Sequence, residues 1–345
     1  MLFYLGTYTQ RGGAGVLGCE LGAENAMRVI GSVFLKDPTY VIANARRDRL
    51  FCVCEAPAEG EEGGSAASFS LGENGAPVLL SRQNAVGRGP CHLCLSPDER
   101  FLYLANYVSG SVSVFPVEEG GRLGALLQLV QHEGHGPNAG RQQGPHAHQV
   151  VFLPQENALC CVDLGADALF TYAQDRDTGR LSLNDRFSLP AGYGPRHLAK
   201  GEGNLFYLAH ELESAVSVLR RENGQWTLLE THSTLPAPQA SNTVAAVRVF
   251  EGRVMVSNRG HDSIAVFAIE GERLRPLGIF PTPGPVPRDF YPLKDGRVLI
   301  AHQEGDVTLA RLAEDGFIPL SRLDVRGAVC VLPFEEEMAG GSWCA

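Results

Sequence analysis

Polar residues interrupt otherwise apolar runs at equivalent places along this chain of 345 residues, and their types suggest chemistry. One set follows Gly-Pro-like breaks: His92, His146, His148, Arg196, His197 and Arg288. The other ends apolar runs: Glu55, Asn106, Asp163, Glu211, Asn258, Arg259 and Gln303. A guanidinium presents a planar fork that matches carboxylate or phosphate. Arg196, Arg259 and Arg288 meeting in one place would therefore bind a small anion; the alternative is that each pairs with a carboxylate and stitches the fold together. Glu211 is a candidate general acid or base, its pKa raised towards neutrality if it lies in a partly closed cavity and lowered by any neighbouring arginine. His146 and His148 alternate along an extended segment and share a face, either as functional groups or bonded to backbone. With His92 they could imitate a three-histidine zinc site, and Glu55, Asn106, Asp163 and Asn258 could ligate calcium. The expected site nevertheless needs no metal and no cofactor.

The elements that must bring these residues together repeat. Residues 4–8 read YLGTY, 51–55 FCVCE, 101–107 FLYLANY, 159–163 LCCVD, 205–211 LFYLAHE, 254–259 VMVSNR and 298–303 VLIAHQ. A repeat of roughly fifty residues falls in the range of propeller blades. Each copy predicts a first strand after a break (Asp37-Pro38, Gly89-Pro90, Gly144-Pro145, Gly194-Pro195, Val286-Pro287), a turn, and a second strand ending in the polar slot. A third strand follows, as in 111–116, 168–172, 215–219 and 264–269, and a weaker fourth, as in 181–189 and 274–279. In an antiparallel hairpin the start of the first strand lies beside the end of the second. Both polar sets should therefore share one mouth of a central channel. The expected fold is an all-β, seven-bladed β-propeller over residues 1–345, closed by pairing of the N-terminal run 2–9 with residues 327–332; the tail after Phe334 is expected to be frayed. Segment 118–145, with His132, His135, Arg141 and Gln142, is either a solvated loop or a loop folded over the mouth.

Bulk properties exclude several classes. A net charge of -10 without basic runs argues against nucleic acid. No stretch is long and apolar enough for a membrane span, and MLFYLGTYTQ lacks signal-peptide features, so a cytoplasmic protein is expected. The nine cysteines, mostly within apolar runs, read as buried thiols in a reducing compartment. Cys91 and Cys94 have CxxC spacing but lack a second pair, and on a strand they face opposite sides. There is no GxSxG elbow, P-loop or dinucleotide fingerprint.

The chain resembles the lactonase family of seven-bladed propellers. The resemblance is carried by Gly6-Thr7-Tyr8-Thr9, Asn106-Tyr107 with Gly110-Ser111-Val112, Arg141-Gln142 leading to Pro145-His146-Ala147-His148, and Asp163-Leu164-Gly165. It continues through Gly194-Pro195-Arg196-His197, Glu211-Leu212, residues 257–263 (SNRGHDS) and Pro287-Arg288. It implies hydrolysis of a sugar lactone, with 6-phosphogluconolactone as the expected substrate, at a metal-independent site. The family's functional residues fall here on His146, Arg196, Glu211 and Arg259. Substrate contacts are then expected from His92, Asn106, His148, His197, Asn258, Arg288 and Gln303. Alternatives are a cycloisomerase acting on a muconate-type dicarboxylate, or a non-catalytic binding propeller. The expected partner is a small anionic lactone, bound by a monomer or homodimer. Two departures from the family pattern, His210 and Asp289, are expected to bear on the choice of substrate.

Overall fold

A computed structural model describes residues 1–334. The expected tail, 335–345, and Cys344 within it lie outside the described residues. The described chain forms seven four-stranded antiparallel sheets. Blades 1 to 6 run from Tyr40–Ala43 to Pro77–Asn84, Pro90–Leu95 to Gln128–Gln131, Ala147–Leu153 to Leu181–Ser188, Pro195–Lys200 to Gln225–Ser233, Thr243–Phe250 to Arg273–Pro281 and Pro287–Pro292 to Gly316–Leu323. Blade 7 is composite: Ala328–Phe334 supplies its first strand, and Leu2–Thr7, Val16–Leu21 and Met27–Val33 the other three. Phe334 pairs with Leu2, Val331 with Leu5 and Ala328 with Thr7, so the two ends of the chain close the ring as the sequence predicts. First strands of neighbouring blades pack against one another around the whole circle. No helix among the described residues is long and apolar enough to cross a membrane.

The core lies between blades. Six buried apolar clusters each join neighbours; one combines Tyr207, Val216, Val256 and Phe267 of blades 4 and 5. A middle strand therefore has both faces covered. That is why Phe101–Asn106 and Ala158–Asp163 are wholly buried and read as nearly unbroken apolar runs instead of alternating. The eight described cysteines are buried and free.

Two local devices prepare the channel. The first is a register shift in the first strands, between Pro90 and His92, Ala147 and Gln149, Pro195 and His197, and Pro287 and Asp289. Such bulges re-aim a side chain. The residues left without a partner in the ladder are Cys91, His148, Arg196 and Arg288. The second is a left-handed residue ahead of the first strand: Asp37, Gly89, Gly194, Val286 and Gly327, with φ of 46°, 60°, 59°, 52° and 65°. Their carbonyls accept the backbone N–H of Glu55, Tyr107, Glu211, Gln303 and Tyr8 respectively. The same backbone hook thus fixes the residue after the second strand in five blades. Val286 holds it despite a β-branched side chain that disfavours positive φ.

Asp289 is structural. Its Oδ1 accepts from Arg248 of blade 5 at 2.6 Å and its Oδ2 from the Val331 backbone of the closing strand at 2.9 Å, all in the interior. Asp289 thus braces three blades, with both carboxylate oxygens occupied. Asp289→Ala strands a buried guanidinium, and a loss of roughly 3–5 kcal/mol in urea unfolding is expected.

Candidate active site

Successive side chains of a strand point to opposite faces, and this decides which polar residues reach the channel. The polar slot residue at or next to the end of the second strand is spent on buried hydrogen bonds. Asn106 donates from Nδ2 to Ser111 Oγ and Ser113 Oγ at 3.1 and 2.9 Å. Asn258 donates to the Thr234 carbonyl and accepts from Thr234 Oγ1 at 2.7 Å. Asp163 takes the backbone N–H groups of His146 and Ala166 on Oδ1 and faces His132 Nδ1 with Oδ2 at 2.7 Å. His210 pairs with Ser217 Oγ at 2.7 Å, and burial lowers its pKa to about 3, so it is neutral. The expectation that Asn106, Asp163 and Asn258 ring the mouth is therefore corrected: Asn106 pins its own blade, while Asp163 and Asn258 also tie theirs to His132 and Thr234, which follow the last strands of the preceding blades. The calcium grouping with Glu55 fails for the same reason, and His210 is no substrate contact. Among the described residues no group of three or more His, Cys, Asp or Glu is placed to hold a metal ion.

The residues one position further on do meet across the channel. Glu211, on blade 4 and 4% exposed, lies at the centre. Its Oε2 receives Arg196 Nε at 3.0 Å and Arg259 Nη2 at 2.8 Å. Its Oε1 receives Arg141 Nη2 at 2.6 Å, and the same nitrogen donates to Tyr107 Oη at 3.1 Å. Tyr107 stacks on His146, ring centroids 4.6 Å apart. His146 Nδ1 lies 2.8 Å from the Tyr107 carbonyl, which can only accept, so Nδ1 carries a proton and the lone pair of the neutral ring is on Nε2. Opposite, Tyr8 donates to Glu55 Oε2 at 2.8 Å, Arg288 lies over the Tyr8 ring, and Arg288 Nη1 donates to Gln303 Oε1 at 2.9 Å. His146, Arg196, Glu211 and Arg259 are thus linked in one network, with Arg288 and Gln303 in an adjoining one.

The remaining predicted contacts lie below. His92 and His197 follow the bulged residues and form a ring-packed layer with Tyr40; His148 packs edge-on against His197 at 5.3 Å. Burial and then Arg196 hold His148 and His197 well below the usual histidine range, so both are neutral. Arg196 Nη1 sits 3.3 Å from both ring nitrogens of His197 and donates to the Ala245 carbonyl at 2.8 Å. The histidine layer floors the arginine site.

Burial alone would raise Glu211, but Arg259, Arg196 and Arg141 outweigh it and hold the carboxyl well below its usual range. Of the two influences read from the sequence, the arginines prevail: Glu211 is an anion at neutral pH and has no proton to give. Burial and the nearby Arg259 and Arg288 push Arg196 down to about 9, a sign of crowded cations. Arg259 Nε is buried without a hydrogen-bond partner among the described residues.

Sequence reasoning missed Tyr8 and Tyr107 as site members and left Arg141 open with its segment. Strict alternation would have found the tyrosines, since each follows a buried slot residue (Thr7, Asn106). Arg141 comes from segment 118–145, which holds the fourth strand Gln128–Gln131 and then folds over the mouth.

Comparison with known proteins settles the family. The model for the seven-bladed β-propeller lactonases matches residues 2–332. This chain belongs to that family. It is 34% identical over 345 residues to the 6-phosphogluconolactonase of Bacillus subtilis, covering 95% of this chain and 97% of that protein. A crystal structure from Lactobacillus plantarum superposes with a TM-score of 0.87 at 30% identity, covering 97% of this chain and 99% of that one. The periplasmic gluconolactonase of Pseudomonas aeruginosa gives 0.89 at 27% identity, covering 96% and 98%. The lactonase is therefore a lactone hydrolase.

The depressed Glu211 has a signed consequence. Its ion pairs stabilise fully above the unfolded value, near 4.5, and that contribution is lost as pH falls through the lower folded value. The lactonase is expected to be more stable than Glu211→Gln by roughly 3 kcal/mol at neutral pH. Thermal melts should show this gap holding down to about pH 5 and closing only in stronger acid.

Proposed function

We propose that this lactonase hydrolyses 6-phosphogluconolactone to 6-phosphogluconate. The observation that carries the reading is an excess of positive charge in a buried mouth. Four guanidiniums, Arg141, Arg196, Arg259 and Arg288, face two carboxylates, Glu55 and Glu211, in a molecule whose net charge is -10. Two uncompensated cations in a poorly hydrated pocket favour a doubly charged anion, which a phosphate monoester supplies. The 6-phosphogluconolactonase of Bacillus subtilis, 34% identical, supports the same substrate.

The chemistry follows from the free valences. His146 Nε2 takes a proton from a water molecule, and the resulting hydroxide adds to the lactone carbonyl carbon. Negative charge moves to the carbonyl oxygen, where the Arg259 guanidinium receives it. Such a donor contributes about 3–4 kcal/mol to an oxyanion transition state. The bond from that carbon to the ring oxygen then breaks, and the protonated His146 returns its proton to the leaving oxygen. The products are a carboxylate and a hydroxyl, with a proton released when the acid ionises. Glu211 is not the base. As a fixed anion it orients Arg196, Arg259 and Arg141 and accepts from sugar hydroxyls.

In a direct assay with purified lactonase, 6-phosphogluconolactone should be turned over faster than glucono-δ-lactone. His146→Ala should lower kcat by about 10²–10⁴ with little change in KM. Absence of hydrolysis of both lactones by the wild-type protein, or full activity in His146→Ala, would overturn the assignment.

A further inference from the structure

The three arginines on Glu211 are not equivalent. Arg196 and Arg259 hold Oε2 from blade strands, with side chains 4% and 12% exposed. Arg141 alone holds Oε1, and its side chain is 38% exposed. A part-exposed pair is the cheapest of the three to break, since water replaces much of what is lost. Breaking it does not strand Glu211, which keeps its other two partners.

The segment bearing Arg141 is nevertheless fastened. Gln142 is fully buried; its Nε2 donates to the Leu164 carbonyl at 2.9 Å and its Oε1 accepts from the Asn138 backbone. A Cβ on Gly136 would come within 2.4 Å of the Gln142 side chain, so the two segments are closely packed. His132, at the other end, faces Asp163 in the interior. The backbone at Arg141 is therefore anchored while its long side chain can rotate. One nitrogen, Nη2, makes both of its contacts, to Glu211 and Tyr107, so the rest of the fork is unused by the described residues. A phosphate can engage two edges of such a fork; a lactone ring without phosphate offers no anion to compete with Glu211.

We propose that Arg141 is an exchangeable guanidinium: it caps Glu211 Oε1 in the empty site and transfers to the phosphate monoester of the substrate, uncovering that oxygen for the sugar hydroxyls. The proposal rests on the substrate assigned above and gives the mouth a means of selecting phosphorylated over plain lactones. Arg141 is then a specificity residue, acting at the end of the substrate remote from the scissile bond.

The test compares wild type, Arg141→Ala and Arg141→Lys in two ways. The first is the ratio of kcat/KM for 6-phosphogluconolactone to that for glucono-δ-lactone. The second is the affinity for inorganic phosphate by titration calorimetry, which needs no turnover. The ratio should fall at least tenfold in Arg141→Ala, mainly through KM for the phosphorylated substrate, and phosphate should bind at least tenfold more weakly. Arg141→Lys, a point charge without the fork, should fall between the two and shows whether charge alone suffices. An unchanged ratio, an equal loss on both lactones, or phosphate affinity that is absent in wild type or the same in Arg141→Ala would overturn the proposal. If wild type hydrolyses neither lactone, the assigned function fails, while the phosphate titration still decides the role of Arg141.

Discussion

A single buried carboxylate holds the mouth of this propeller together. Glu211 neutralises part of a cluster of guanidiniums that no interior would otherwise accept, because each desolvated cation costs several kcal/mol without a partner. The pairs draw on a loop, on blade 4 and on blade 5. The carboxylate is therefore a structural and a functional group at once. It fixes where positive charge stands, and because it stays ionised it leaves proton transfer to a histidine whose tautomer is set by a backbone carbonyl.

The propeller suits such a site because its two kinds of demand fall on different residues. Packing between blades consumes the strand interiors, and the polar ends of the second strands are consumed by pins within a blade or to the connection from the preceding one. Only the next residue and the bulged residue of the first strand remain for the channel. Tyr8, Glu55, Tyr107, Glu211, Arg259 and Gln303 occupy the first kind of place, and Cys91, His148, Arg196 and Arg288 the second. The channel residues carry the chemistry, whereas residues such as Asp289 and Asn258 are spent on joining blades.

Much of this was legible beforehand. The repeating apolar runs, the breaks before proline and the N-terminal second strand that lacks a first predict seven blades and a ring closed by its own termini, and the structure has both. Proximity of Arg196, Glu211 and Arg259 was also legible, since hairpin geometry puts strand starts beside strand ends. The errors of placement share one cause. Treating a whole strand end as rim ignored the two-residue period, so Asn106 and Asn258 were assigned to the mouth and Tyr107 and Tyr8 were overlooked. The ionisation of Glu211 stayed open, because burial and three cations push its pKa in opposite directions and the outcome depends on distances of about 3 Å that no sequence states.

The sequence by itself determined what is local or periodic: strand alternation, turn positions, the number of blades, and the chemical types available to a shared mouth. Only the tertiary structure decided which of those side chains face the channel, that Arg141 reaches in from a loop, and that four cations share two anions. These are matters of register, bulge and through-space charge. They arise where segments far apart in the chain come within a few ångströms, and a linear pattern carries no measure of that distance.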